Sequence, residues 1–208
     1  DGVSVLRRVA DVADEAAVTA LVAETMKTFG QIDVLCNIAG IASISGAHPP
    51  VTENSRDERE KVLAVNLLGT MLTIKHVAPH MQARKKGSIV NTASVAGYEG
   101  QIGQAAYASA KAGIIGLTVP VARDLAVLGI RVNTIVPGLI ATPMLLRGAE
   151  EMTPEIEQRL QPLSSQVLYP KRLGLADEIA SLAQHMMEND YLNGESVRMD
   201  GGIRMQPK

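Results

Sequence analysis

The sequence holds one cysteine, one phenylalanine and no tryptophan among its 208 residues. A lone cysteine excludes an intrachain disulfide, and Cys36, inside the run Ile32-Asp33-Val34-Leu35-Cys36, reads as a packed thiol in a strand. A reducing compartment is the natural inference. With aromatics at 2 %, the core has to be built from Ala, Val, Ile and Leu, the composition of parallel strands covered by helices. A net charge of −2 gives no electrostatic reason to expect nucleic acid or an anionic membrane as a partner. No apolar run approaches the roughly 20 residues of a membrane span. Asp1-Gly2-Val3-Ser4 has neither the basic nor the apolar segment of a signal peptide. A glycine-rich turn of the kind that receives a pyrophosphate at a helix N-terminus is also missing, although the rest of the pattern calls for one.

What is present is an alternation of strand-like and helix-like segments. Residues 5–9 read as a short strand. Residues 15–29 have helical apolar spacing (Val18, Leu21, Val22, Met26), with Asp14 as N-cap. Residues 32–37 read as a strand and 56–85 as helix, interrupted by Pro79. Gly87 reads as a helix stop before a strand over 88–93. Residues 104–128 form a long helix, ended by Gly129, despite Pro120. A strand over 130–136, a helix over 176–187 and a last strand over 196–200 complete the series. Strands separated by helix-length segments imply βαβ units, hence an α/β fold with a doubly wound parallel sheet. The length fits a single dinucleotide-binding and catalytic domain over 1–208, lacking the first strand and its turn. Residues 143–170 break the rhythm, and a long excursion of this kind reads as a substrate loop.

The chemistry concentrates in Tyr107-Ala108-Ser109-Ala110-Lys111. Tyr and Lys at i, i+4 share a helix face, and an ammonium beside a phenol favours the phenolate, making Tyr107 a usable acid/base. Ser94 lies at a strand end, where α/β sheets place ligands. Asn66 sits in the apolar stretch Val65-Asn66-Leu67-Leu68-Gly69, and a buried Asn is either a structural pin or part of a polar network. Asn37-Ile38-Ala39-Gly40 and Pro137-Gly138-Leu139-Ile140-Ala141-Thr142 end two further strands.

Together, Asn37-Ile38-Ala39-Gly40, Asn66, Ser94, Tyr107-x-x-x-Lys111 and Pro137-Gly138 with Thr142 resemble the signature of the short-chain dehydrogenase/reductase family, in order and spacing, with Ile38 where that family usually has a second Asn. The resemblance implies roles. Tyr107 is the proton donor and acceptor, Ser94 holds the substrate oxygen, and Lys111 holds the nicotinamide ribose and depresses the Tyr107 pKa. Asn66 holds a water of the proton relay. Asp11 and Val12 meet the adenine, with Asn37, Ile38, Ala39 and Gly40 along the adenosine side. Pro137, Gly138, Ile140 and Thr142 contact the nicotinamide half.

The stretch from Ala93 through Gln101 to Tyr107, the segment Pro120-Val121-Ala122-Arg123-Asp124-Leu125-Ala126 and the tail Asp200-Gly201-Gly202-Ile203-Arg204-Met205-Gln206-Pro207 are similar to the type 2 3-hydroxyacyl-CoA dehydrogenase branch, also called 17β-hydroxysteroid dehydrogenase type 10. That branch implies NAD-dependent oxidation of 3-hydroxyacyl-CoA, with Gln101 as a substrate-side donor. NADP stays open, because the deciding residue follows the second strand. The alternatives are an NADPH-dependent 3-oxoacyl carrier-protein reductase and, in a different class, a non-catalytic scaffold. The resemblance further implies a homotetramer, packed through the Tyr107 and Asn66 helices, in a bacterial cytoplasm or, in a eukaryote, the mitochondrial matrix. No metal site is expected. His76 and His80 are i, i+4 but have no carboxylate in metalloprotease spacing, and residues 57–61 read as a solvated charged face.

Overall fold

The computed structural model describes residues 2–146, 148–149 and 151–206; Arg147 and Glu150 of the expected substrate loop and Pro207 of the tail lie outside them. Asp14 caps helix α1 (Glu15–Phe29) by accepting from the backbone N–H groups of Ala16 and Ala17, and left-handed Gly30 closes it. Strands β1 (Val34–Asn37), β2 (Gly87–Thr92), β3 (Ile130–Pro137) and β4 (Ser196–Met199) form one sheet in that order. Every pairing is parallel.

Side-chain alternation along the strands explains the two helical layers. Ile89, Ile130 and Val132 point to one face, where they join Val18 and Val22 of α1, Ile74, Val77 and Met81 of α3 (Gly69–Arg84), and Leu117 and Ala122 of α4 (Ala105–Ala126). Val90 and Ile135 point to the other, against Met186 of α7 (Ala176–Glu188). Both faces are covered, so the sheet is doubly wound as expected. Residues 143–170 contribute α5 (Pro143–Leu146) and α6 (Pro154–Ser164), whose Leu146 and Leu160 pack with Leu173 in a separate small cluster.

Several local expectations are corrected. Residues 5–9 form no strand: Val3, Val5 and Val9 are exposed, and the segment makes no ladder hydrogen bonds, so alternation alone did not create a strand without a neighbour. The break in the helical run that begins with α2 (Arg56–Leu63) falls at a π turn, Ala64–Leu68, and α3 runs on through Pro79. Lys85, in left-handed backbone at φ 52°, ends that helix. Gly87 instead opens β2, where a β-carbon would come within 2.5 Å of the Met81 sulfur. Cys36, on β1, the outermost strand among the described residues, is exposed rather than packed, although partial burial still raises its thiol pKa. Within the charged run, Glu58 is buried and its carboxylate accepts the Ile44 N–H at 2.7 Å. Two helical runs, Arg56–Arg84 and Ala105–Ala126, are long and apolar enough by length and composition to cross a membrane, though no contiguous apolar stretch announced it. In this fold each contributes buried residues to the layer against the sheet.

Candidate active site

The register places Asn37 opposite Asn91, Asn91 opposite Thr134 and Thr134 opposite Ser196. This makes a polar row across the sheet, near the strand ends of β1, β2 and β3. Asn37 donates to Asn91 Oδ1 at 2.9 Å and accepts from Thr73 of α3 at 2.6 Å. The Thr134 hydroxyl lies 2.6 Å from that of Thr118 on α4. Buried polar groups need partners, and these tie the carboxyl ends of β1, β2 and β3 to the two helices behind them. Asn37 is therefore spent on holding the rim, beneath the exposed Ile38 and Ala39.

Above that row β2 delivers Ser94. Its extended backbone starts the 3-10 turn Val95–Gly97, and its Oγ accepts the Ala96 N–H at 3.1 Å. The same side chain stands close enough to the Tyr107 phenol, on the first turn of α4, to favour its ionised form. Lys111, one turn on, is 4 % exposed. Its ammonium donates to the Thr92 carbonyl at 2.8 Å and lies 5.7 Å from the centre of the Tyr107 ring. Ser94, Tyr107 and Lys111 thus converge on one crevice. The expectation that Lys111 depresses the Tyr107 pKa does not hold here. Burial pushes the phenol up, partly offset by the nearby Ser94. Burial also lowers Lys111 to about 8, which leaves it mainly protonated near neutral pH.

Asn66 reaches the same crevice from the π turn. It is fully buried; its Nδ2 donates to the carbonyls of Ile41 and Val62, at 2.7 and 2.8 Å, and its Oδ1 accepts the Ile41 N–H at 3.3 Å. Its side chain is thereby a pin for the loop after β1. Gly40 is the seat of that pin: a β-carbon there would come within 2.6 Å of Asn66 Oδ1 and 3.5 Å of Lys111 Nζ. Only glycine lets the loop lie this close to both groups.

The other expected residues lie around this centre. Asp11 is held by Lys61 at 2.7 Å and by the Ala13 N–H at 2.9 Å, and these hydrogen bonds draw its carboxyl pKa down. Val12 packs on Gly69, where the π turn passes into α3. One strand over from Ser94, Pro137 ends β3 and Gly138 lies against Asp200. Ile140 bridges to Gly174, and Thr142 accepts the N–H groups of Leu145 and Leu146 on its carbonyl. Sequence reading missed what steadies this segment. Arg172 makes a bidentate pair with Glu178, both bonds 2.9 Å, and Glu178, held down to about 2 chiefly by Arg172, also accepts the Leu175 N–H. That arrangement fixes Gly174 beside Ile140. Gln101 is not free: its amide donates to the Gln206 carbonyl at 3.2 Å. His76 lies 2.9 Å from Glu15 on the surface.

The crevice suits the ribose and nicotinamide half of a dinucleotide. Gly40 lets the loop after β1 lie against Asn66 and beside Lys111, where a β-carbon would collide with Asn66 Oδ1. Lys111 spends one of an ammonium's three donors on Thr92, so two remain for vicinal hydroxyls.

A phenol, a serine hydroxyl and a buried ammonium converging at strand ends of a doubly wound sheet define an oxidoreductase site that handles a carbonyl or alcohol oxygen. The comparisons give the same class. Residues 2–204 match a family model described as enoyl-(acyl carrier protein) reductase. The chain is 46 % identical over 206 residues to 3-hydroxyacyl-CoA dehydrogenase type-2 of Homo sapiens, covering 95 % of this chain and 76 % of that protein. It is 40 % identical over 200 residues to levodione reductase of Leifsonia aquatica, covering 95 % and 74 %. A crystal structure of levodione reductase superposes with a TM-score of 0.87 at 38 % identity, over 97 % of this chain and 78 % of that one. The chain belongs to the short-chain dehydrogenase/reductase family. It is an oxidoreductase that interconverts an alcohol and a ketone with a nicotinamide cofactor.

Proposed function

We propose that the protein is an NAD(H)-dependent dehydrogenase that interconverts 3-hydroxyacyl-CoA and 3-oxoacyl-CoA, with a place in fatty-acid metabolism, and that it works as a homotetramer. The observation that carries the chemistry is the Lys111 ammonium 5.7 Å from the centre of the Tyr107 ring, with Ser94 close enough to act on the phenol. The similarity to 3-hydroxyacyl-CoA dehydrogenase type-2 supports the substrate class.

A bound nicotinamide supplies the hydride acceptor or donor. In the reductive direction the Tyr107 phenol, which burial keeps protonated, gives its proton to the carbonyl oxygen as that oxygen takes on the charge of the arriving hydride; the oxidative direction is the reverse and starts from the Tyr107 phenolate. Ser94 hydrogen-bonds the substrate oxygen and keeps it on the Tyr107 phenol. Lys111 orients the ribose hydroxyls through the donors that Thr92 leaves free. Asn66 acts through the Ile41 loop, keeping Gly40 low enough for the ring to approach.

A coupled spectrophotometric assay on the full-length protein tests the reading. It pairs NAD and NADP with 3-hydroxybutyryl-CoA, an acyl-carrier-protein ester and a steroid alcohol. The expected result is the highest kcat/KM with NAD and the CoA ester. A preference for NADPH with the carrier-protein ester would replace this reading with that of a 3-oxoacyl carrier-protein reductase.

A further inference from the structure

Between Ser94 and Tyr107 runs a loop whose one charged residue is Glu99. Its two carboxylate oxygens are used separately. Oε1 accepts Arg198 Nη1 at 2.8 Å, and Oε2 accepts the backbone N–H of Met205, also at 2.8 Å. Arg198 is the hub of the cluster. Its Nε donates to Asp200 at 2.6 Å, its Nη2 to the Ile203 carbonyl at 3.1 Å, and its guanidinium lies 5.5 Å from the centre of the Tyr98 ring. Arg204 stands 3.5 Å from both Glu99 and Asp200. These groups are shielded: the side chains of Glu99, Arg198 and Asp200 are 22 %, 24 % and 8 % exposed. A partly desolvated, charge-balanced network with hydrogen bonds in place is a firmer tie than a surface ion pair.

The network fastens the chain after β4 onto the catalytic loop. Met205 packs on Ala93, Val95, Ile114 and Val136, which surround Ser94. Gln206 then accepts the Gln101 amide. The Lys111–Thr92 bond does not pass through this network, and neither Ser94 nor Tyr107 hydrogen-bonds to a member of it. Release of the tail would therefore leave the reacting groups in place.

We propose that Glu99 is a positioning residue: it holds residues 203–206 against the 94–104 loop, and the tail so held forms the substrate-side wall next to Gln101. The proposal rests on the reading of the crevice as a 3-hydroxyacyl-CoA site. The test is Glu99→Gln in the full-length protein, a near-isosteric change that removes the charge. Steady-state kinetics with 3-hydroxybutyryl-CoA should show KM raised about tenfold with kcat within about twofold, the pattern of lost uniform binding, and an unmoved pH profile. Hydrogen–deuterium exchange over 203–206 should rise, and Glu99→Asp should recover part of both effects. A chain ended after Arg204 should reproduce the KM effect, and it decides the matter if Glu99→Gln does not fold. Unchanged exchange in Glu99→Gln would overturn the fastening. Raised exchange with an unchanged KM would overturn the wall. A fall in kcat and thermal stability without a KM change would reduce the cluster to a closing strap. If the parent protein turns over no CoA ester, the substrate reading fails, whereas the exchange measurement still decides whether Glu99 holds the tail.

Discussion

Tyr107 and Lys111 are both buried, and burial moves them in opposite directions: the phenol is harder to ionise and the ammonium easier to neutralise. The difference matters for function because Tyr107 must exchange a proton while Lys111 must stay charged. Tyr107→Phe removes the exchangeable proton but keeps the ring. Turnover should fall by about 10³-fold or more, as for loss of an acid/base group. Unfolding free energy should change by no more than about 1 kcal/mol, the scale of one hydroxyl's net interactions; assay and denaturant titration on the same sample check both. Lys111 carries a pH signature. Its pKa is about 8 in the folded protein, against 10.5 for an unperturbed lysine. Between those values the unfolded chain holds more protons than the folded one, so stability rises with pH. Relative to Lys111→Met, the parent should gain on the order of 2 kcal/mol between pH 7 and 10. Thermal melts of the pair across that range would show the curves approaching, and parallel curves would mean that the ammonium is solvated.

At the scale of the element, the π turn Ala64–Leu68 does what an uninterrupted helix would not. It inserts a residue between α2 and α3 and turns the Asn66 amide onto the Ile41 backbone. Wide turns of this kind often mark functional positions. Asn66→Ala would leave the Ile41 N–H and carbonyl without their partner, and should cost about 2–3 kcal/mol. It should also lower kcat/KM about 100-fold, because Gly40 loses its seat beside Lys111 and a small misplacement at a reacting centre is costly; chemical denaturation and steady-state kinetics measure the two effects. This turn also shows where sequence stopped informing. Helix α1 and its Asp14 cap were readable to the residue, since spacing and cap chemistry are local. The order Asn66, Ser94, Tyr107, Lys111 was readable because each lies in a short recognisable string. The π turn was not, because its apolar spacing fits an ordinary helix and its geometry depends on a loop arriving from β1. Glu58 looked solvated for the same reason: Ile44, not its own neighbours, holds its carboxylate. The Glu99–Arg198 pair joins residues 99 apart, and no local pattern could have announced it.

For the whole molecule, the question is what covers the outer faces of the helices that build the site. The inner sides of α3 and α4 are packed on the sheet. Outward, Leu68 on the π turn, Met71 on α3 and Val119 on α4 stay 51 %, 45 % and 42 % exposed, and Gly116 has open space where a β-carbon would stand. Apolar side chains on the far sides of two long helices are more than a solvated surface calls for, and small residues allow close helix approach. A symmetric assembly of identical copies buries such faces pairwise, and two distinct faces generate a tetramer from dimers. Such an assembly would also bear on catalysis, since α4 carries Tyr107 and Lys111 and the π turn carries Asn66. Sedimentation velocity of the full-length parent at micromolar concentration should therefore give a tetramer. Met71→Glu with Val119→Glu should shift it to smaller species, because burying unpaired carboxylates in an apolar contact is costly. Activity should fall with the assembly and recover as protein concentration rises, as mass action requires when the assembled state holds the site elements in place. A parent that sediments as a monomer would show that these faces are left to solvent.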